Sequence, residues 1–123
     1  MEKYPESKLT EKIIGLVFKT QNETGKGFSE KIYQKVFENH LRDEEIKFKK
    51  ECYCKLIVNN KIAGNYRLDF LIDDKIIVEF KVRDAIYKKD ISQVLNYLKF
   101  YKLKIGLIFY FKNDGVEIKR LIL

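Results

Sequence analysis

Tyr66-Arg67-Leu68-Asp69-Phe70-Leu71-Ile72-Asp73-Asp74-Lys75-Ile76-Ile77-Val78-Glu79-Phe80-Lys81-Val82 is the stretch from which the rest of the chain can be read. Its hydropathy alternates with period two on either side of Asp73-Asp74-Lys75, so it reads as two strands, Tyr66 to Ile72 and Ile76 to Val82, joined by a three-residue loop. The even positions are apolar, and Asp69, Glu79 and Lys81 fall on odd ones. With that loop the numbers of paired residues sum to 148, which sets Asp69 directly opposite Glu79. Their Cβ atoms are then ~4.5–5.5 Å apart. A two-residue loop would place them on opposite faces, so the register decides whether the carboxylates meet. Facing carboxylates repel. Lys81 supplies one positive charge, and a hard divalent cation would supply two more; oxygen-only ligands select Mg²⁺ or Mn²⁺. The bland alternative is a cross-strand salt-bridge cluster on a solvated face. Strands that are otherwise apolar favour a site.

Working outward, the N-terminal side is helical. Thr10 is a plausible N-cap, Leu9 and Ile14 a staple, and Leu9, Ile13, Leu16, Val17 and Thr20 form one apolar stripe. The polar run Gln21 to Gly27 breaks this helix. A second is predicted over about Phe28 to Asp43, with Ile32, Val36, Phe37, His40 and Leu41 as its apolar side. Phe48 to Val58 reads as a strand and Asn59-Asn60-Lys61 as a turn. Beyond the central hairpin, Asp90 caps a third helix running to about Lys102, with Ile91, Val94, Leu95 and Leu98 inward. Ile105 to Phe111 is continuously apolar, as in a strand buried on both faces. Asn113-Asp114-Gly115 turns the chain into a last strand, Val116 to Leu123. The order ααβββαββ implies an α/β class: one domain over residues 1–123, with a mixed central sheet flanked by helices.

At 123 residues, 46% hydrophobic and 14% aromatic, the chain can bury a core without staples and is not a disordered polyelectrolyte. No apolar run approaches the ~20 residues that span a bilayer. Residues 1–6 carry no apolar leader pattern, so a cytoplasmic location with no membrane partner is expected. The net charge of +7 is unevenly placed: residues 1–80 carry +1 and residues 81–123 carry +6. A basic final third suits an anionic partner such as nucleic acid, although a lysine-rich solvated surface has the same composition. With only four arginines, phosphate contacts rather than base reading would dominate. Cys52 and Cys54, two apart, read as reduced thiols rather than a disulfide or metal site. The lone His40 sits at helical spacing with Val36 and Phe37 and reads as packing. No nucleophile–histidine set and no Gly-rich phosphate loop is present.

Asp69, about ten residues, then Glu79-Phe80-Lys81 resembles the PD-(D/E)xK nuclease superfamily, with its restriction-endonuclease-like fold. More closely, Gly27-Phe28-Ser29-Glu30-Lys31-Ile32-Tyr33 matches the signature of the GxxExxY protein family. So do Leu9 to Gly15, Tyr66-Arg67-Leu68-Asp69, and Gln93-Val94-Leu95-Asn96-Tyr97-Leu98-Lys99. The resemblance implies metal-assisted phosphodiester hydrolysis, DNA favoured. Asp69 and Glu79 would bind Mg²⁺ or Mn²⁺ with the Phe80 carbonyl as a possible extra ligand, and Glu30 would reach the metal from its helix. Lys81 would orient water or stabilise the pentacovalent state. Gln93 and Tyr97 would border the site, as in the superfamily's RecB-like exonuclease branch. Lys88, Lys89 and Lys99 would steer the nucleic-acid backbone.

Each residue also has a plain reading. Glu30 compensates a helix dipole, Tyr97 is half-buried packing on a face distinct from Val94 and Leu98, and Gly27 permits a tight helix entry and close approach. The alternative function is a non-catalytic nucleic-acid or protein adaptor on the same fold. A chain this close to a minimal core leaves target choice to a protein partner or to homo-oligomerisation.

Overall fold

The computed structural model describes residues 6–123; residues 1–5, on which the expectation of no leader chiefly rests, lie outside the described residues. The order is α1 (Ser7–Thr24), α2 (Glu30–Asp43), β1 (Phe48–Val58), β2 (Lys61–Ile72), β3 (Ile76–Val82), α3 (Lys88–Tyr101), β4 (Ile105–Lys112) and β5 (Gly115–Ile122). This is the predicted ααβββαββ. The strands lie in the spatial order β1-β2-β3-β4-β5. Every pair is antiparallel except β3 and β4, which run parallel with α3 as the crossover between them.

Apolar residues on the two sheet faces build two cores. Phe70, Ile72, Ile76, Val78, Phe80 and the odd residues of β4 pack with Ile13, Val17, Phe37 and Leu41 of α1 and α2. Leu68, Leu71, Ile77, Ile108 and Tyr110 pack with Val94, Tyr97 and Leu98 of α3. β4 is covered on both sides, which explains its unbroken apolar run. Gly106 allows the close approach of α3: a Cβ there would stand 2.6 Å from Val94 Cγ1. Valine is stiff at χ1 and yields little. Gly106→Ala is therefore expected to lower stability by roughly 1–3 kcal/mol, seen as a lower urea midpoint at unchanged m-value.

Several local expectations are corrected. α1 starts at Ser7, so Thr10 is no cap and Leu9 and Ile14 lie inside the helix rather than stapling it. Thr10 is buried in the stripe with Ile13, Leu16, Val17 and Thr20, where packing overrides its capping preference. α1 also continues through Thr24 and ends at Gly25, with φ of 90°. α2 starts at Glu30, capped by Ser29, whose hydroxyl accepts from the Ile32 amide at 3.4 Å. Its buried side is Tyr33, Gln34, Phe37, Glu38 and Leu41, while Ile32 is exposed. Two anchors rotate the helix. The Tyr33 ring stacks on Phe111 at 4.2 Å with its hydroxyl donating to the Gly25 carbonyl, and buried Glu38 pairs with Arg42 and Lys50. β2 begins five residues before the predicted Tyr66, extending the hairpin with β1. In α3, Asp90 lies in the first turn rather than at the cap, and reaches back to the Tyr87 amide.

Candidate active site

The β2–β3 register has the expected sum: Phe70 faces Val78, Leu71 faces Ile77 and Ile72 faces Ile76. The regular ladder stops at Phe70–Val78, one step short of Asp69 and Glu79. Side chains take over there. The Asp69 amide donates to Glu79 Oε1 at 3.1 Å, and the Phe80 amide donates to Asp69 Oδ2 at 2.8 Å. Each carboxylate thus satisfies a backbone donor on the other strand and is oriented by it.

The faces change at the same point. Leu68 and Phe70 share an even face in the sequence pattern, yet Leu68 packs under α3 and Phe70 under α1 and α2. β1 shows the matching break: Lys50 pairs with Glu38 of α2, whereas Cys52 packs with the α3 cluster. Between them Glu51 takes a left-handed φ of 54°, an uncommon conformation for a non-glycine residue in a strand. The result is a small cavity of about 260 Å³ where Glu51 and Arg67 meet Glu30, Lys31, Gln34 and Asp69. Glu51 had no signature in the sequence, since it precedes a regular-looking alternation.

Glu79 is 3% exposed. Burial first, and the neighbouring Asp69 charge second, push its pKa well above the ordinary carboxylate range, with Lys81 opposing. Glu30, at the start of α2, is raised by desolvation and then by Asp69, again opposed by Lys81. Asp69, Glu79, Glu30 and Lys81 therefore act on one another electrostatically, as one site requires. Gly27 precedes α2 with φ of 81° but nothing crowds it, so it serves the turn rather than a close approach.

Tyr97 does not lie on a separate face. Its ring is fully buried with Val94 and Leu98. The hydroxyl accepts from Gln93 Nε2 at 2.8 Å and donates to the Arg67 carbonyl at 3.4 Å. Burial and the charges of Glu79 and Asp69 raise its pKa above the usual phenol range, keeping it a neutral donor. Gln93 and Tyr97 thus tie α3 to β2 two residues before Asp69. Of the three lysines, Lys89 lines a larger cavity with Lys81 and Gln93, Lys99 lines a separate groove with Lys55, and Lys88 lies exposed at the start of α3. The sequence reading missed Arg83 and treated Asp90 only as a cap; both belong to the larger cavity.

All-oxygen donors suit a hard divalent cation, and a cation would relieve the repulsion that raises Glu79 and Glu30. In chemistry the residues fit. Among the described residues, however, no three His, Cys, Asp or Glu side chains stand close enough together to grip an ion as they are. Cys52 and Cys54 are unbridged.

A mixed sheet between helices, with two carboxylates and a lysine at the point where a central hairpin opens, defines a nuclease-like, restriction-endonuclease-like fold. The chain belongs to the PD-(D/E)XK nuclease superfamily, whose family model matches residues 7–121. No curated protein matches significantly. Among solved structures, the crystal structure of SSO0001 matches with a TM-score of 0.53 at 20% identity, over 95% of this chain and 59% of that one. The chain thus spans about three-fifths of that protein's length, and the likeness concerns the fold. Among the described residues, no helix is long and apolar enough to cross a membrane.

Proposed function

We propose that the protein is a metal-dependent nuclease that hydrolyses phosphodiester bonds in nucleic acid, DNA favoured, as a single domain of the GxxExxY family in the RecB-like branch. The observation that supports this most is the reciprocal bonding of Asp69 and Glu79 across an opened hairpin, with Lys81 beside them. Asp69 and Glu79 would hold Mg²⁺ or Mn²⁺, with the Phe80 carbonyl and Glu30 as further ligands. When bound, such an ion lowers the pKa of water and offsets charge developing on the phosphate.

The chain's own residues do the rest. The amide bonds to the two carboxylates fix their orientation. Lys81 donates to the attacking water or to the pentacovalent phosphorane. Tyr97 and Gln93 hold the β2 backbone against α3 and so position Asp69. The basic final third, Lys88, Lys89 and Lys99 included, attracts the strand by charge.

The test is cleavage of labelled single- and double-stranded DNA, with RNA in parallel, in Mg²⁺ or Mn²⁺ and in EDTA. Wild type is expected to cut only with metal, and Asp69→Ala to lose at least ~100-fold. A wild type that cuts none of these substrates, or an Asp69→Ala variant that cuts as well, removes the assignment. Among the described residues no three carboxylates stand ready to grip an ion, which gives the adaptor reading its specific support. In that case Mn²⁺ leaves the melting temperature unchanged while nucleic acid, or a protein partner or second copy, still binds.

A further inference from the structure

Between the end of β3 and the first turns of α3 lies a cavity of about 580 Å³, lined by Tyr66, Lys81, Arg83, Lys89, Gln93 and Asn96. The size lies within the ~300–1,000 Å³ range of small-ligand sites. Three cations face it, and the one carboxylate on its wall is already engaged. Asp90, 2% exposed, accepts from the Tyr110 hydroxyl at 3.0 Å and the Tyr87 amide at 3.4 Å, and pairs with Arg83 Nη2. Burial works against its charge, but Arg83 and Tyr110 outweigh it and hold its pKa below the usual range.

Asp90 therefore works as a brace. It fixes a guanidinium that also lies over the Tyr87 ring, 4.5 Å from its centroid. Among the described residues, both Nε and Nη2 of Arg83 are buried, Nη2 against Asp90 and Nε without a hydrogen-bond partner. The side chain as a whole is 30% exposed and lines the cavity, so the guanidinium meets a ligand by its outer edge. A planar fork held rigid on two sides matches phosphate oxygens better than a flexible ammonium does. Around it stand an aromatic ring, Tyr66, and two side-chain amides, Gln93 and Asn96. Those groups suit the face and edges of an unstacked base, which a duplex does not present.

We propose that this cavity is a nucleotide subsite for single-stranded nucleic acid. Arg83, braced by Asp90 and Tyr87, grips the phosphate next to the one at Asp69 and Glu79, and Tyr66, Gln93 and Asn96 receive the attached nucleotide. The proposal rests on the nucleic-acid reading above but not on catalysis.

The experiment is fluorescence anisotropy in EDTA with a labelled oligothymidylate and a duplex of equal length. Wild type is expected to favour the single strand at least fivefold. Arg83→Gln should weaken single-strand binding about tenfold and make its salt slope shallower by about 0.7, the value for one lost phosphate contact on a single strand. Arg120→Gln, which removes the same charge from an exposed position on β5, should change it less than twofold. Because Arg83→Gln leaves Asp90 buried without its cation, the pair Arg83→Gln/Asp90→Asn is measured beside it, with thermal melting as the check on folding. The same loss in the folded double variant supports the subsite. Folded Arg83 variants binding within twofold of wild type, an equal loss in Arg120→Gln, or a preference for duplex overturns it. Arg83-dependent binding without any cleavage would remove the catalytic reading alone; cleavage with Arg83 neutral would remove the subsite alone.

Discussion

Lys81→Ala is expected to lower the rate of metal-dependent cleavage by about 10²–10⁴-fold, well beyond its effect on the affinity for nucleic acid. Lys81 lies two residues beyond Glu79 on β3, half-buried, and lines the larger cavity with Arg83, Lys89 and Gln93. A donor that meets charge forming only in the transition state affects turnover rather than binding. It has a second effect of definite sign. Its charge lowers the pKa of both Glu79 and Glu30. Removing it raises both further, so protons compete better with Mn²⁺ for the carboxylates. The Mn²⁺ concentration giving half-maximal activity should therefore rise more at pH 6.5 than at pH 8.5. Lys81→Arg separates the two effects: it keeps the charge and so the metal requirement of wild type, but its wide planar guanidinium cannot take the position of the compact ammonium. A Lys81→Ala variant with wild-type turnover at saturating metal would take Lys81 out of the reaction.

The site's acidic half was legible because one register places it. Once Asp73-Asp74-Lys75 is read as a three-residue loop, Asp69 and Glu79 must meet, and the structure keeps that pairing while replacing ladder bonds with side-chain ones. β4 was legible because a strand covered on both faces has no polar alternation to mislead. What escaped depends on contacts between elements distant in sequence. Thr10 looks like a cap until α1 is seen to bury it, and Tyr33, absent from the expected apolar side of α2, joins the core by stacking on Phe111. Strict alternation could not foresee that Leu68 and Phe70 would part to opposite cores, because the switch follows the irregular backbone at Glu51 in the neighbouring strand. Arg83 and Asp90, seven residues apart across a bend, carry no local pattern; Tyr87 and Tyr110 bring them into one cluster.

Glu79→Gln is expected to abolish metal-dependent cleavage and yet make the metal-free protein more stable at pH 7, by about 1–2 kcal/mol. A buried carboxylate facing Asp69 is costly when charged, which is why its pKa is raised in the folded state. The sign of the linkage follows. A group whose folded pKa lies above its unfolded value contributes stability that is complete below the unfolded value, near 4.5, and lost as pH rises through the folded one. Wild type should thus lose stability over that window, and Glu79→Gln, which cannot ionise, should show a flatter profile. The amide oxygen of glutamine can still accept from the Asp69 amide, so the opened hairpin keeps its bond. Addition of Mn²⁺ should reverse the order. The ion binds the ionised carboxylates of wild type and stabilises by mass action, but gains little from a neutral amide. Melting curves of both proteins between pH 4 and 9, with and without Mn²⁺, read all three effects. If Glu79→Gln is less stable than wild type at pH 7 without metal, Glu79 is a structural anchor rather than a strained ligand. If Mn²⁺ raises both melting temperatures equally, the ion binds somewhere other than this pair of carboxylates.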